Sequence, residues 1–122
     1  MITKLKDLEV YVKSYDLAMK VFRIARNFPK EERYSLTSQI VRSTRSVAAN
    51  ISEGWAKWEY ELMFKQHLIH SLGSASETQT WIDFAFDCEY IDADTHQTIS
   101  QELDSIGKML TNLHKKWKSF KN

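Results

Sequence analysis

The sequence predicts an all-α fold, an up-down-up-down antiparallel four-helix bundle, on the basis of three observations. The chain has 122 residues, which suffices for one domain whose core needs no disulfide or metal. It contains only three glycines and one proline, whereas strands and hairpins need frequent turn residues. Its apolar residues recur at helical spacing in four segments. We therefore expect residues 1–122 to form a single domain of four helices joined by short turns.

The first two predicted helices are separated by a proline. The first helix spans about residues 5–27 and ends before Pro29, whose ring prevents a helix from continuing. The second helix begins between Lys30 and Leu36 and extends to about Ala56. The polar stretch NFPKEERYS forms the connection between them.

The last two predicted helices are separated by a capping signal. The third helix spans about residues 59–89. In the stretch EYIDADTHQ that follows, Asp94 stands three residues before Gln97, which is the spacing of a capping box. We therefore expect Asp94 to cap the fourth helix, which extends to about Lys118.

The fourth helix has the most regular apolar seam. Its members alternate steps of four and three residues: Ile99, Leu103, Ile106, Leu110, Leu113, Trp117 and Phe120. Such spacing is typical of a helix that packs against nearly parallel neighbours by knobs-into-holes contacts. We expect this seam to face the core.

The first helix has two apolar stripes rather than one. One stripe comprises Leu8, Val12, Tyr15, Met19 and Phe22, and the other comprises Val10, Leu17, Val21, Ile24 and Phe28. A monomeric bundle needs only the first stripe, because each helix of a bundle keeps an outer face. The second stripe then predicts contact between subunits, and therefore a homo-oligomer. The alternative is that neighbouring helices of the same chain bury both stripes.

Charge is segregated along the chain although the formal net charge is only +1. Residues 1–57 hold eleven Lys or Arg and six Asp or Glu, residues 58–107 hold one and ten, and residues 108–122 hold five and none. Two basic segments thus flank an acidic one. Either oppositely charged helices pack side by side, or the protein presents separate faces to separate partners.

A polar face runs along the second helix through the stretch RSVAANISEGWAK. Its members follow steps of three and four residues: Gln39, Arg42, Ser46, Asn50, Glu53 and Lys57. One interpretation is a solvated surface. The other is a structural polar ladder, buried or at an interface, formed by Arg42, Ser46, Asn50, Glu53 and, on the third helix, Glu77. Gly73 in the middle of the third helix costs about 1 kcal/mol of helix stability and predicts tight packing at that point.

Four segments and one short motif carry a resemblance to a known family. They are LEVYVKSYDLA, FPKEERYSLTSQIVRS, RSTRSVAANISEG and IGKMLTNLHKKWK, together with Gly73, Ser74 and Glu77. Over nearly its whole length the chain resembles the four-helix-bundle protein family encoded by intervening sequences of bacterial 23S rRNA genes. It is more distantly similar to the accessory variability protein of diversity-generating retroelements. The resemblance implies an antiparallel four-helix bundle, a ring-like homopentamer, no known catalytic activity and a suspected role in binding nucleic acid.

No residue pattern predicts catalysis, a metal site or a cofactor. The di-iron sites of helix bundles need Glu-x-x-His motifs, and none of the four histidines has a glutamate three residues before it. The single cysteine, Cys88, cannot form an internal disulfide and is typical of an inert core residue. The chain opens without a basic-then-apolar leader and has no apolar run of about 20 residues. We expect a cytoplasmic protein that is not an enzyme, with no membrane contact and no small-molecule substrate.

Nine basic residues are candidates for contact with RNA or DNA. They are Lys20, Arg23, Arg26, Arg42, Arg45, Lys108, Lys115, Lys116 and Lys118. Clustered cations neutralise phosphates, and repetition in a homo-oligomer would multiply a modest patch. The alternative is a solvated basic tail, because a pI near 7.8 gives no strong electropositive footprint. Two hypotheses follow: a nucleic-acid-binding accessory protein, or a protein-interaction scaffold without nucleic-acid affinity.

Overall fold

The computed structural model describes residues 1–118 and shows the predicted four-helix bundle. Its helices are α1 (Glu9–Ala25), α2 (Leu36–Trp55), α3 (Glu61–Asp87) and α4 (Ala93–Lys116). Short 3-10 turns at Leu5–Asp7 and Lys30–Glu32 precede α1 and α2. Each helix that the sequence predicts is present, and each end lies within a few residues of the expected position.

Successive helices run in opposite directions, so α1 and α3 point one way while α2 and α4 point the other. The contact between α2 and α3 is the most extensive, α2 also packs against α1, and α4 packs chiefly against α3. One end of the bundle therefore holds the start of α1, the α2–α3 turn and the end of α4. The opposite end holds the α1–α2 turn and the α3–α4 turn.

The core is an apolar cluster to which all four helices contribute. Ile40 of α2 and Phe64 and Ile82 of α3 are 0% exposed. The predicted seam of α4 is confirmed: Ile99, Leu103, Ile106, Leu110 and Trp117 are buried, and Leu113 packs against the core. The last member of that seam, Phe120, lies outside the described residues.

The prediction for the two stripes of helix one is wrong in its assignment. The second stripe faces the core, since Val10, Leu17 and Val21 are at most 3% exposed. In the first stripe, by contrast, Val12 is 40% and Tyr15 is 53% exposed. The reason is that the buried face of α1 is completed by residues that a search for large apolar side chains ignores, namely Ser14, Ala18 and Ala25. Leu8 of the first stripe is buried and Met19 and Phe22 are half-buried, so only its middle part, at Val12 and Tyr15, faces outward.

The predicted cap of helix four is also displaced. The N-cap of α4 is Asp92, whose carboxylate accepts a 2.8 Å hydrogen bond from the backbone N–H of Thr95. The hydrogen bonds that Thr95 donates lower the pKa of Asp92 below its usual value. Asp94 lies inside the first turn, where a carboxylate interacts favourably with the positive end of the helix dipole. Asp92 and Asp94 are both suitable caps, and the helix begins two residues earlier than the sequence predicts because Asp92 is the one that caps it.

Gly54 of α2 and Gly73 of α3 differ in their surroundings. A Cβ on Gly54 would lie 2.8 Å from the Cβ of His67 and 3.1 Å from the Cδ1 of Phe64. Gly54 therefore permits α2 and α3 to approach at their turn, which explains a glycine in the stretch NISEGW. Apart from its chain neighbours and the backbone of its own helix, a Cβ on Gly73 would meet no atom of residues 1–118 within 4 Å. The prediction of tight packing at Gly73 is therefore wrong for contacts within the described part of the chain.

Candidate nucleic-acid interface

Three of the nine basic candidates are engaged in ion pairs. Lys20 of α1 pairs with Glu102 of α4 at 2.5 Å. Arg42 of α2 pairs with Glu77 of α3 at 2.6 Å. Lys108 pairs with Asp104 one turn earlier on α4, at 3.1 Å. These pairs bring a carboxylate to each cation, which makes the three residues weaker candidates for phosphate contact.

Three arginines form a second group, which we call the arginine cluster: Arg23, Arg26 and Arg45. The guanidinium of Arg26 lies 5.7 Å and that of Arg45 lies 5.5 Å from the centroid of the Phe22 ring. Such cation–π contacts hold the two guanidiniums against one half-buried aromatic ring between α1 and α2. Arg23 is exposed one helical turn before Arg26. The cluster lies toward the end of the bundle that holds the α1–α2 turn.

The third group lies at the opposite end, and we call it the lysine end: Lys115, Lys116 and Lys118. All three residues are exposed. Lysines in the last turn of a helix interact favourably with the negative end of the helix dipole, which explains their place on α4. The helix ends at Lys116, and Trp117 has extended backbone angles (φ −67°, ψ 131°), so Lys118 leaves the helix axis. Since α1 spans about 25 Å, roughly that distance separates the lysine end from the arginine cluster.

An aromatic group anchors the lysine end. The ring of Trp117 lies 4.8 Å from that of Phe64 and 5.9 Å from that of Trp55, in both cases edge to face. Trp55 in turn stacks on Trp58 in the α2–α3 turn, with centroids 6.2 Å apart. Trp117 is only 9% exposed, so its ring is fixed between the two lysines that flank it in sequence. The exposed ring of Tyr60 follows in the same turn.

The residues of the predicted polar ladder lie along the surface between α2 and α3. Asn50 donates to the Ser46 carbonyl at 2.9 Å, and Ser74 of α3 donates to the Ser46 hydroxyl at 2.9 Å. Glu77 accepts from the Trp81 indole at 3.0 Å in addition to its pair with Arg42. The side chains of Arg42 and Glu77 are 59% and 36% exposed, so the polar ladder lies at the surface of the single chain. Glu53 is exposed on α2.

A buried row of hydroxyls, which the sequence did not predict, lies beneath the polar ladder. Ser71 donates a 2.7 Å hydrogen bond to the carbonyl of Val47, and Thr78 donates a 2.9 Å bond to the hydroxyl of Ser43. Ser43, Ser71 and Thr78 are each 0% exposed, so each of their hydroxyls needs a hydrogen-bond partner within the protein. The available signal was the spacing of Ser71, Ala75 and Thr78, which places small residues on one face of α3.

Metal and membrane sites receive no support from the described part of the chain. Within residues 1–118, no three His, Cys, Asp or Glu side chains come together as a metal site would require. Cys88, expected in the core, is exposed at the end of α3, because the chain turns there to enter the α3–α4 connection. None of the described helices combines the length and the apolar character needed to cross a membrane.

The sequence and the fold are similar to those of known proteins. The 23S rRNA-intervening sequence protein family matches residues 6–112, which is most of the chain. The chain belongs to this family. A solved relative is a protein of unknown function from the S23 ribosomal protein family of Bacteroides thetaiotaomicron, which is 27% identical and superposes with a TM-score of 0.79. The match covers 88% of this chain and 96% of that chain. No curated protein matches the sequence.

Proposed function

We propose that this member of the 23S rRNA-intervening sequence protein family is a non-catalytic, homo-oligomeric, cytoplasmic accessory protein that binds RNA or DNA. The observation that carries the proposal is the lysine end, where Lys115, Lys116 and Lys118 are exposed. None of them forms an ion pair with a carboxylate in residues 1–118. Their charges are therefore available to phosphates, and the buried Trp117 gives them a fixed base.

Phosphate contact by lysine needs charge density more than a shaped pocket. A lysine ammonium acts as a point charge, and each neutralised phosphate releases counterions, so affinity falls as salt rises. Three lysines are a small footprint, but repetition around an oligomer would multiply it. The outward stripe of α1, with Val12 and Tyr15 exposed, supports an assembly of several copies. The family resemblance suggests five copies in a ring.

The proposal is tested by fluorescence anisotropy of labelled structured RNA and of duplex DNA across a salt series. We expect binding that weakens steeply with salt. The triple variant Lys115→Ala, Lys116→Ala, Lys118→Ala should lower the slope of log affinity against log salt by about one for each lysine that contacts a phosphate. Absence of binding by the wild-type protein at low salt would refute the proposal.

A charge-matched control separates a site from general electrostatics. The exposed lysines Lys6, Lys13 and Lys30 are dispersed over the chain, and their replacement by alanine removes the same charge. This control should retain the wild-type salt slope. Equal losses in both triple variants would show that net charge, rather than the lysine end, attracts the nucleic acid.

A second candidate function is a protein-interaction scaffold. It is favoured by a separate observation, the exposed apolar side chains on α1 and α3, which include Val12, Tyr15, Leu62 and Ile69. In that case the purified protein would show no salt-dependent nucleic-acid affinity and would bind a protein partner through one of these faces. The anisotropy series distinguishes the two functions.

A further inference from the structure

An open groove of about 410 Å³ follows the outer surface between α1 and α2, and we call it the α1–α2 groove. Six of the residues that line it have a part in its chemistry: Tyr11, Tyr15, Ala18, Arg45, Ala48 and Ala49. Ala18 and Ala48 are buried and form the floor. Because an alanine side chain ends at its Cβ, the larger residues on either side stand above this floor as walls.

Aromatic rings form the wall of the groove on α1. The Tyr11 and Tyr15 rings have centroids 6.2 Å apart, and Tyr15 is exposed. Phe22 follows Tyr15 by seven residues, which places it on the same side of α1, beside Arg45. Exposed aromatic rings in a row offer surfaces on which flat rings of a ligand can stack.

The charged residues at the groove are all arginines. The guanidiniums of Arg26 and Arg45 lie against the Phe22 ring, and neither forms an ion pair with a carboxylate in residues 1–118. Among the described residues, no Asp or Glu lines the α1–α2 groove. A guanidinium binds phosphate through paired hydrogen bonds, and one that is already held against a ring loses less freedom when it does so.

These features together favour a ligand that carries both flat rings and negative charges. A single strand of nucleic acid has both, whereas a duplex hides the faces of its bases within the stack. An apolar helix of another protein would bury Arg45 without a partner, which is costly. The row from Tyr11 to Arg26 spans about 22 Å at 1.5 Å per residue, which is long enough for several nucleotides.

We propose that the α1–α2 groove binds a single strand of RNA or DNA, with bases stacked on Tyr11 and Tyr15 and phosphates bound by Arg26 and Arg45. The inference shares the nucleic-acid ligand of the proposed function and adds a second site that selects single strands. Since the start of α1 and the end of α4 lie at the same end of the bundle, a strand that continues past Tyr11 comes toward the lysine end.

The first test is the effect of Tyr15 on strand selectivity, measured by fluorescence anisotropy. The probes are labelled oligothymidylate and oligouridylate of about 12 nucleotides and duplex DNA of the same length. Tyr15→Ala should weaken binding of both single strands by about tenfold and change duplex binding by less than about twofold. Tyr15→Phe retains the ring and should bind single strands like the wild type.

The matched control for Tyr15→Ala is Tyr34→Ala. Tyr34 is also exposed and also lies near a guanidinium, that of Arg33 at 5.9 Å, but it does not line the groove. Its replacement should leave the affinity for single strands unchanged. Circular dichroism should show the helix content of the wild type for both alanine variants, because both tyrosines are exposed.

The second test removes the two arginines. Arg26→Ala with Arg45→Ala should lower the slope of log affinity against log salt for oligothymidylate by about 1.4, which is about 0.7 for each phosphate released. The charge-matched control is Lys30→Ala with Arg33→Ala, two exposed residues at the same end of the bundle. This control should keep the wild-type slope.

The outcomes separate this site from the proposed function. A wild-type protein that binds neither single strands nor duplex at low salt overturns both. A wild type that binds duplex, but whose affinity for single strands is insensitive to Tyr15→Ala and to the arginine pair, overturns the groove alone. A Tyr15→Ala protein with unchanged affinity and a smaller sedimentation coefficient would assign the groove to contact between copies, and would likewise overturn the proposal.

Discussion

The two faces of α3 are built from similar residues and have different surroundings. Toward α2, Ser71 and Thr78 are buried and hydrogen-bonded, and Gly54 of α2 permits close approach of the two helices. On the opposite face, Gly73 and Ser76 are exposed, and no other helix among the described residues approaches Gly73. Glycine, serine and threonine on a helix therefore accompany close packing on one face and an open surface on the other, so residue type alone does not distinguish the two.

The two faces of α3 should differ most in how much a substitution at the start of the helix changes the free energy of unfolding. Phe64→Ala removes a ring that is 0% exposed and should lower the free energy of unfolding by about 4 kcal/mol. Leu62→Ala, two residues earlier and 81% exposed, should change it by less than about 0.5 kcal/mol. Urea denaturation at concentrations that keep the protein monomeric measures both. Similar losses for the two variants would mean that Leu62 is covered within the chain.

Replacing Gly54 and Gly73 by alanine should change the free energy of unfolding in opposite directions. Gly54→Ala places a methyl group 2.8 Å from the Cβ of His67 and should cost about 2 kcal/mol, because the helix backbones have to separate. Gly73→Ala should raise the stability of the monomer by about 1 kcal/mol, because alanine favours the helix and has open space. Thermal unfolding of the two variants at one low concentration gives the comparison. A loss of stability at both positions would contradict the difference in their surroundings.

Substitutions in the polar ladder, at the edge of the α2–α3 contact, should change the free energy of unfolding least. Glu77→Ala removes a partner of both Arg42 and Trp81 and should cost about 1 kcal/mol, less than a buried ion pair would, because the polar ladder is half-exposed. Glu53→Ala removes an exposed carboxylate and should be nearly neutral. A double-mutant cycle with Arg42→Ala isolates the pair. A coupling energy above about 2 kcal/mol would place the polar ladder in a desolvated interface.

Much of the fold could be predicted from the sequence, because large apolar residues at steps of three and four dominate the pattern. This is why the seam of α4 was identified up to Trp117. Helix one was misassigned because Ser14 and Ala18 contribute to its buried face and carry no strong apolar signal. The cap of α4 was displaced because Asp92 and Asp94 are both plausible caps, and only the backbone angles decide between them.

The candidate site was less accessible to sequence reasoning. The basic residues could be named, but their grouping depends on contacts between distant segments. Lys20 meets Glu102 at a separation of 82 residues, and no local pattern predicts that pair. Likewise, the aromatic group at the lysine end joins Trp55, Phe64 and Trp117, which come from three different helix ends. The charge and spacing of the basic residues predicted the candidates, but only the tertiary structure shows which of them form ion pairs with carboxylates.

The antiparallel order of the four helices has a kinetic consequence. Each helix packs against the next one along the chain, so most native contacts join segments that are near in sequence, and chains of this kind fold within microseconds to milliseconds. The docking of Trp117 against Trp55 closes a much longer loop than the contacts within a hairpin do, and loop-closure entropy delays such contacts. The α2–α3 hairpin can therefore form early, while the end of α4 joins it late.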